Sequence, residues 1–123
     1  MSHAVSFICI GAMLLCGSGS AVADGDAMHG QALYQQMCTT CHSIDYNGVG
    51  PAHKGVFKRK AGSAADYVYS PALRSSAIVW NEKMLDKWLA NPERLIPGQK
   101  MGFKVASAKD RADLIAYLKT TIN

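Results

Sequence analysis

Near the end of the chain apolar residues recur at Leu114, Ile115, Leu118 and Ile122, the three- and four-residue spacing that lines one face of a helix. Ser107 precedes this stripe and Asp110 follows three residues later, an arrangement suited to capping a helix start. A second stripe, Leu85, Trp88 and Leu89, follows the capping residue Asn81, and Asn91-Pro92 closes it, because a residue before proline is pushed out of helical geometry. Ser70-Pro71 reads as the cap and first position of a short helix through Leu73 to Ser75. Asp26 caps a first helix carrying Leu33 and Met37. Gly30 lies inside it, where glycine costs stability, and a close helix crossing would explain it. Residues 43–66 hold Gly48, Gly50, Pro51, Gly55 and Gly62 and keep no period, as in a loop wrapped around something. With no alternating strand pattern and no repeat, the chain is predicted to be all-α, with about four to five helices and long loops.

The other apolar block, residues 5–16, is followed by Gly17-Ser18-Gly19-Ser20 and then Ala21-Val22-Ala23, a small-X-small pattern of the kind a signal peptidase cleaves. Met1-Ser2-His3 lacks the usual basic flank. The block falls short of the roughly 20 apolar residues that span a bilayer. Lipidation at Cys16 is disfavoured by Leu14 and Leu15, which stand where small residues are wanted. Residues 1–23 are therefore predicted to be a signal peptide, with the mature domain at 24–123.

The sequence is 49% hydrophobic and 18% charged over 123 residues, which suits one small globular domain, and its net charge is +4. That charge alone permits nucleic-acid binding, but an exported chain with no aromatic-basic motif points away from it. Taking Cys9 and Cys16 as leader residues leaves Cys38 and Cys41 as the only cysteine pair, so no disulfide framework is expected.

That pair stands in Cys38-Thr39-Thr40-Cys41-His42, the haem-attachment signature, in which two thiols join haem vinyl groups and the imidazole binds iron. Residues three apart on a helical turn share a face, so both sulfurs can reach one edge of a flat ring. A redox disulfide would want an alternating strand and helix pattern, and a zinc site a second pair downstream. Neither is present.

A second axial position decides between electron transfer and ligand chemistry. The candidates are Met28, Met37, Met84, Met101, His29 and His53. Met101 lies in Ile96-Pro97-Gly98-Gln99-Lys100-Met101-Gly102-Phe103, where the flanking glycines let backbone approach a ring closely. Plain packing is the competing role for any methionine, and His53 is the second candidate ligand. In the basic run Lys54, Lys58, Arg59 and Lys60, a solvated loop competes with an Arg59 that turns toward a haem propionate.

The mature chain, nearly end to end, resembles the small soluble class I cytochromes c of mitochondria and bacteria. The resemblance rests on Cys38-X-X-Cys41-His42, Gly50-Pro51, Gly55, Arg59, Tyr67-Val68-Tyr69, Ile78-Val79-Trp80, Asn91-Pro92 and the segment from Ile96 to Met101. It implies the small cytochrome c fold around one covalent haem c, attached through Cys38 and Cys41, with His42 and Met101 on the iron. It further implies that Pro51 supports His42 through its carbonyl, and that Arg59, Tyr69 and Trp80 surround a buried propionate. Gly30 and Tyr117 match the family's crossing of first and last helices. Two positions depart from the pattern: Trp88 stands where tyrosine is usual, and His53 where an apolar pocket residue is usual.

The function expected from this is a soluble periplasmic electron carrier, acting as a monomer and not as an enzyme. An export signal points away from the mitochondrial intermembrane space. Lys54, Lys58, Lys60, Lys100 and Lys104 would steer the haem edge to acidic surfaces. The partners expected are a cytochrome bc complex, a terminal oxidase, a photosynthetic reaction centre or a periplasmic dehydrogenase. Two other readings are a haem protein with an open distal site, either gas sensor or peroxidase-like enzyme, and a haem subunit of a larger respiratory complex.

Overall fold

Among the described residues every helix starts at a side chain that accepts a hydrogen bond from backbone N–H groups left free in the first turn. A computed structural model describes residues 24–122, so the predicted signal peptide lies outside the described residues. Helix α1 (Ala27–Met37) is capped by the Asp26 carboxylate, which accepts from the N–H of Met28 at 2.9 Å and of His29 at 3.1 Å. Helix α2 (Pro71–Arg74) has Ser70 as its cap and Pro71 at its first position, where the missing N–H costs nothing. Helix α3 (Glu82–Ala90) begins at Asn81, and α5 (Ala108–Thr120) begins at Ser107.

Two expectations are corrected. Asn91-Pro92 ends α3 and also starts a further helix, α4 (Pro92–Leu95). The extended backbone of Asn91 lets its N–H bond to the Lys87 carbonyl while its side chain accepts from Arg94 N at 3.2 Å, so one residue serves both helices. Ile122 does not extend the α5 stripe: the helix stops at Thr120, Thr121 caps it, and Ile122 is 74% exposed.

The first and last helices cross at Gly30. A Cβ there would overlap the Asp113 carbonyl and press on Tyr117, so only glycine permits this approach. Asp113 fastens the crossing. Its buried carboxylate accepts from Lys109 Nζ, from the backbone N–H of Asp26 and from His29 Nδ1, each at 2.7 Å. In that order these bonds hold the Asp113 carboxyl well below the usual carboxylate range. Leu33, Tyr34, Leu85, Leu89, Leu114, Ile115 and Leu118 form the buried core beneath the crossing.

Among the described residues the sole extended pairing is a single antiparallel bridge, Lys60 with Val79. Bonds from Lys58 N to Trp80 O, Trp80 N to Arg59 O and Ala61 N to Ile78 O flank it, at 2.8, 2.9 and 2.8 Å. This pairing sets Arg59 and Trp80 side by side. No helix among the described residues is long and apolar enough to cross a membrane.

Candidate functional site

Helix α1 ends one residue before the cysteine motif. Cys38 caps it, and the Cys38 carbonyl then accepts from the N–H of Cys41 at 3.1 Å and of His42 at 2.8 Å. The motif is thus a tight turn beyond the helix that presents Cys38, Cys41 and His42 to one cavity of about 330 Å³. Both thiols are free. Burial, with a smaller contribution from Cys41, pushes the Cys38 thiol up to about 11. A redox Cys-X-X-Cys needs the opposite shift, toward the thiolate, so the environment disfavours that rival.

His42 is prepared as a ligand. Its Nδ1 lies 2.9 Å from the Pro51 carbonyl, which can only accept, so Nδ1 carries the proton and Nε2 keeps its lone pair. Burial lowers the His42 pKa while the bond to Pro51 opposes it, and the net direction is down, toward the neutral form a metal requires. Gly50 is buried against this ring, and a Cβ there would overlap it.

Pro51, Arg59, Tyr69, Trp80, Trp88 and Met101 line the same cavity. The basic run divides: Lys54, Lys58 and Lys60 are exposed, whereas Arg59 turns inward. Its guanidinium donates to the carbonyls of Ala52 at 2.9 Å and Lys54 at 3.0 Å, while its buried Nε has no partner. Tyr69 Oη accepts from Ala64 N at 2.9 Å, and the rings of Trp80 and Trp88 meet at 5.3 Å.

The Met101 segment is tied down by Glu93, which no sequence motif singles out. Glu93, in the first turn of α4, accepts from Gly98 N at 3.0 Å and from Gln99 Nε2 at 3.1 Å, which lowers its pKa. Gln99 Oε1 in turn accepts from Gly102 N at 3.0 Å. Gly98 and Gly102 hold φ of 88° and 62°, the left-handed region open to glycine. An acid six residues before Gln99, just after a capping Asn-Pro, was the available signal.

The other candidate ligands sort by position. Met28 is 84% exposed, His29 is bonded to Asp113, and Met84 packs against the core. Met37 and His53 do line the cavity. The His53 ring stacks on His42 at 4.0 Å and so does not face it across an iron.

A sequence model of the cytochrome c family matches residues 27–121. The chain belongs to the cytochrome c family. It is 43% identical over 99 residues to cytochrome c of Euglena viridis, covering 78% of this chain and 97% of that one. It is 40% identical over 121 residues to cytochrome c2 of Rhodomicrobium vannielii, covering 95% of each. The solved structure of cytochrome cH from Methylobacterium extorquens superposes with a TM-score of 0.75 at 44% identity, covering 78% of this chain and 99% of that chain.

As a class I cytochrome c, the protein is a haem-based electron carrier whose cofactor is covalently attached haem c. The residues present fit that group. A pair of free thiols and a neutral imidazole meet at a largely apolar cavity, and the orphaned Arg59 Nε–H is a buried donor that an anionic propionate would satisfy.

Proposed function

We propose that this cytochrome is exported to the periplasm and works there as a soluble one-electron carrier, without turning over a substrate. The observation that carries the proposal is the single cavity that gathers Cys38, Cys41, His42 and Met101 beside the unpartnered Arg59 Nε. Cys38 and Cys41 would hold one haem c through thioethers, and His42 and Met101 would bind its iron. Bound haem c supplies a one-electron couple, and a thioether ligand favours its reduced state. Pro51 keeps the His42 lone pair aimed inward, and Glu93 with Gln99 keeps the Met101 segment closed over the cavity. Arg59, Tyr69 and Trp80 form the polar end, where Arg59 would meet a propionate. Trp88 continues the aromatic wall.

A signal peptide at residues 1–23 accords with the bacterial relative, whose alignment runs to 121 residues where the Euglena protein's runs to 99. The partners proposed are membrane redox complexes with acidic docking surfaces, or a periplasmic dehydrogenase. Lys54, Lys58, Lys60, Lys100 and Lys104 are all exposed, and Lys100 stands at the cavity mouth with Phe103.

Such lysines should steer encounter with an acidic partner. Charge reversal of Lys100 and Lys104 together is expected to slow the second-order rate by roughly tenfold at low salt, within the range of about 10 to 10³ that steering supplies. The spectrum should stay unchanged, because neither side chain is a proposed ligand. The rate of the parent should fall with ionic strength, since the Debye length shrinks from about 30 Å at 0.01 M to about 10 Å at 0.1 M. Stopped-flow oxidation by an acidic partner across a salt series checks this. A rate indifferent to salt and to both lysines rules out electrostatic docking.

A further inference from the structure

Among the described residues His53 is the polar side chain stacked on the ring proposed to bind iron. Its imidazole lies 4.0 Å from that of His42, centroid to centroid, with only 21° between the planes. On its other side its Nδ1 is 2.9 Å from the hydroxyl of Tyr34. Tyr34 is itself immobilised: it is 3% exposed, sits on α1 and packs against Tyr117 of α5 at 5.3 Å. The backbone of His53 is also fixed, its N–H donating to Ser43 O at 2.9 Å and its carbonyl accepting from Val56 N at 2.9 Å. The side chain therefore has a fixed base, a hydrogen bond on one edge and a stacked partner on its face.

We propose that Tyr34 and His53 form a positioning pair for His42, in which Tyr34 orients the His53 ring and His53 sets both the plane of the His42 imidazole and the polarity behind it. This rests on His42 being an axial ligand, as argued above. Stacking over a face at 21° resists rotation of His42 about its bond to Pro51, which by itself constrains one nitrogen and not the ring plane. The polarity acts on the redox equilibrium: the oxidised state carries one more positive charge, and a polar neighbour favours it more than a hydrocarbon would. His53 is held between Tyr34 and His42 as a hydrogen-bonded polar ring.

The test uses the intact holoprotein and three variants, H53L, H53F and Y34F. Replacing His53 by leucine is expected to shift the redox equilibrium toward the reduced state about fivefold, which at about 59 mV per tenfold for one electron is about 40 mV upward. Phenylalanine keeps a flat ring on His42 without its polarity. H53F should raise the potential similarly yet preserve the hyperfine-shifted haem methyl pattern, which reports the axial imidazole plane, whereas H53L should alter that pattern. Y34F should move the potential in the same direction by less. Combined with H53L it should add nothing, because its hydroxyl acts only through His53.

A merely space-filling His53 predicts an unchanged potential and methyl pattern in H53L, and that outcome overturns the proposal. Additive effects of Y34F and H53L overturn the coupling between them. The weak red band of the ferric parent, read in the same samples, reports methionine ligation separately. Its absence would overturn the Met101 reading, while its presence beside an unmoved H53L potential overturns the present one.

Discussion

Replacing Met101 by alanine is expected to leave haem attached while opening the iron to carbon monoxide and lowering the reduction potential. The attachment residues are untouched, because Cys38, Cys41 and His42 sit in a separate turn after α1. The segment should also keep its shape: Glu93 holds Gly98 and Gln99, and Gln99 holds Gly102, none through the methionine side chain. If Met101 is the ligand, its loss removes a thioether that favours the reduced state, so the potential should fall by on the order of 0.1 V or more, within the span of about 0.8 V that axial ligands set. Redox titration and a carbon monoxide difference spectrum of the variant check this. A variant with the parent's spectrum would mean that another residue binds the iron, and Met37, which lines the same cavity, would be the next to replace.

Replacing Cys38 and Cys41 together by alanine should have a still larger effect on the protein recovered from expressing cells. Intact mass should fall to that of the polypeptide from Asp24 onward, without haem, whereas the parent should carry one haem on the same chain. The folded population should fall with it. A mature domain spanning residues 24–123 would bury a limited core, and here Leu85, Leu89, Leu114 and Leu118 all line the haem cavity, so core and cofactor site are one surface. Circular dichroism of the variant should show loss of cooperative helix melting. Haem retained through a denaturing column would contradict the attachment, and a parent mass that includes residues 1–23 would contradict the cleavage.

The parts of the fold readable beforehand are those decided within four or five residues. Asp26, Ser70, Asn81 and Ser107 each cap the helix that follows, because a short polar side chain before an apolar stripe has one nearby set of N–H groups to satisfy. Helix α4 is not legible in the sequence because Asn91 and Pro92 are signals for both stopping and starting, and the extended backbone of Asn91 lets both operate. The attachment turn was equally local. Other features of the site depend on distant pairing. Nothing in Lys58-Arg59-Lys60 says which side chain turns inward until the bridge to residues 78–80 fixes the alternation. In the same way His53 looked like a spare ligand, because its partners Tyr34 and His42 reach it only through packing of α1 against the loop.

If His42 and Met101 both hold the iron, no position stays open to an added ligand and one electron can pass without exchange of either residue. Absorption spectra of the purified parent protein, ferric and ferrous, recorded before and after carbon monoxide at neutral pH, test it most directly. A red band in the ferric spectrum and a ferrous spectrum that carbon monoxide leaves unchanged are expected. A ferrous spectrum shifted by carbon monoxide would contradict it and assign the protein an open distal site.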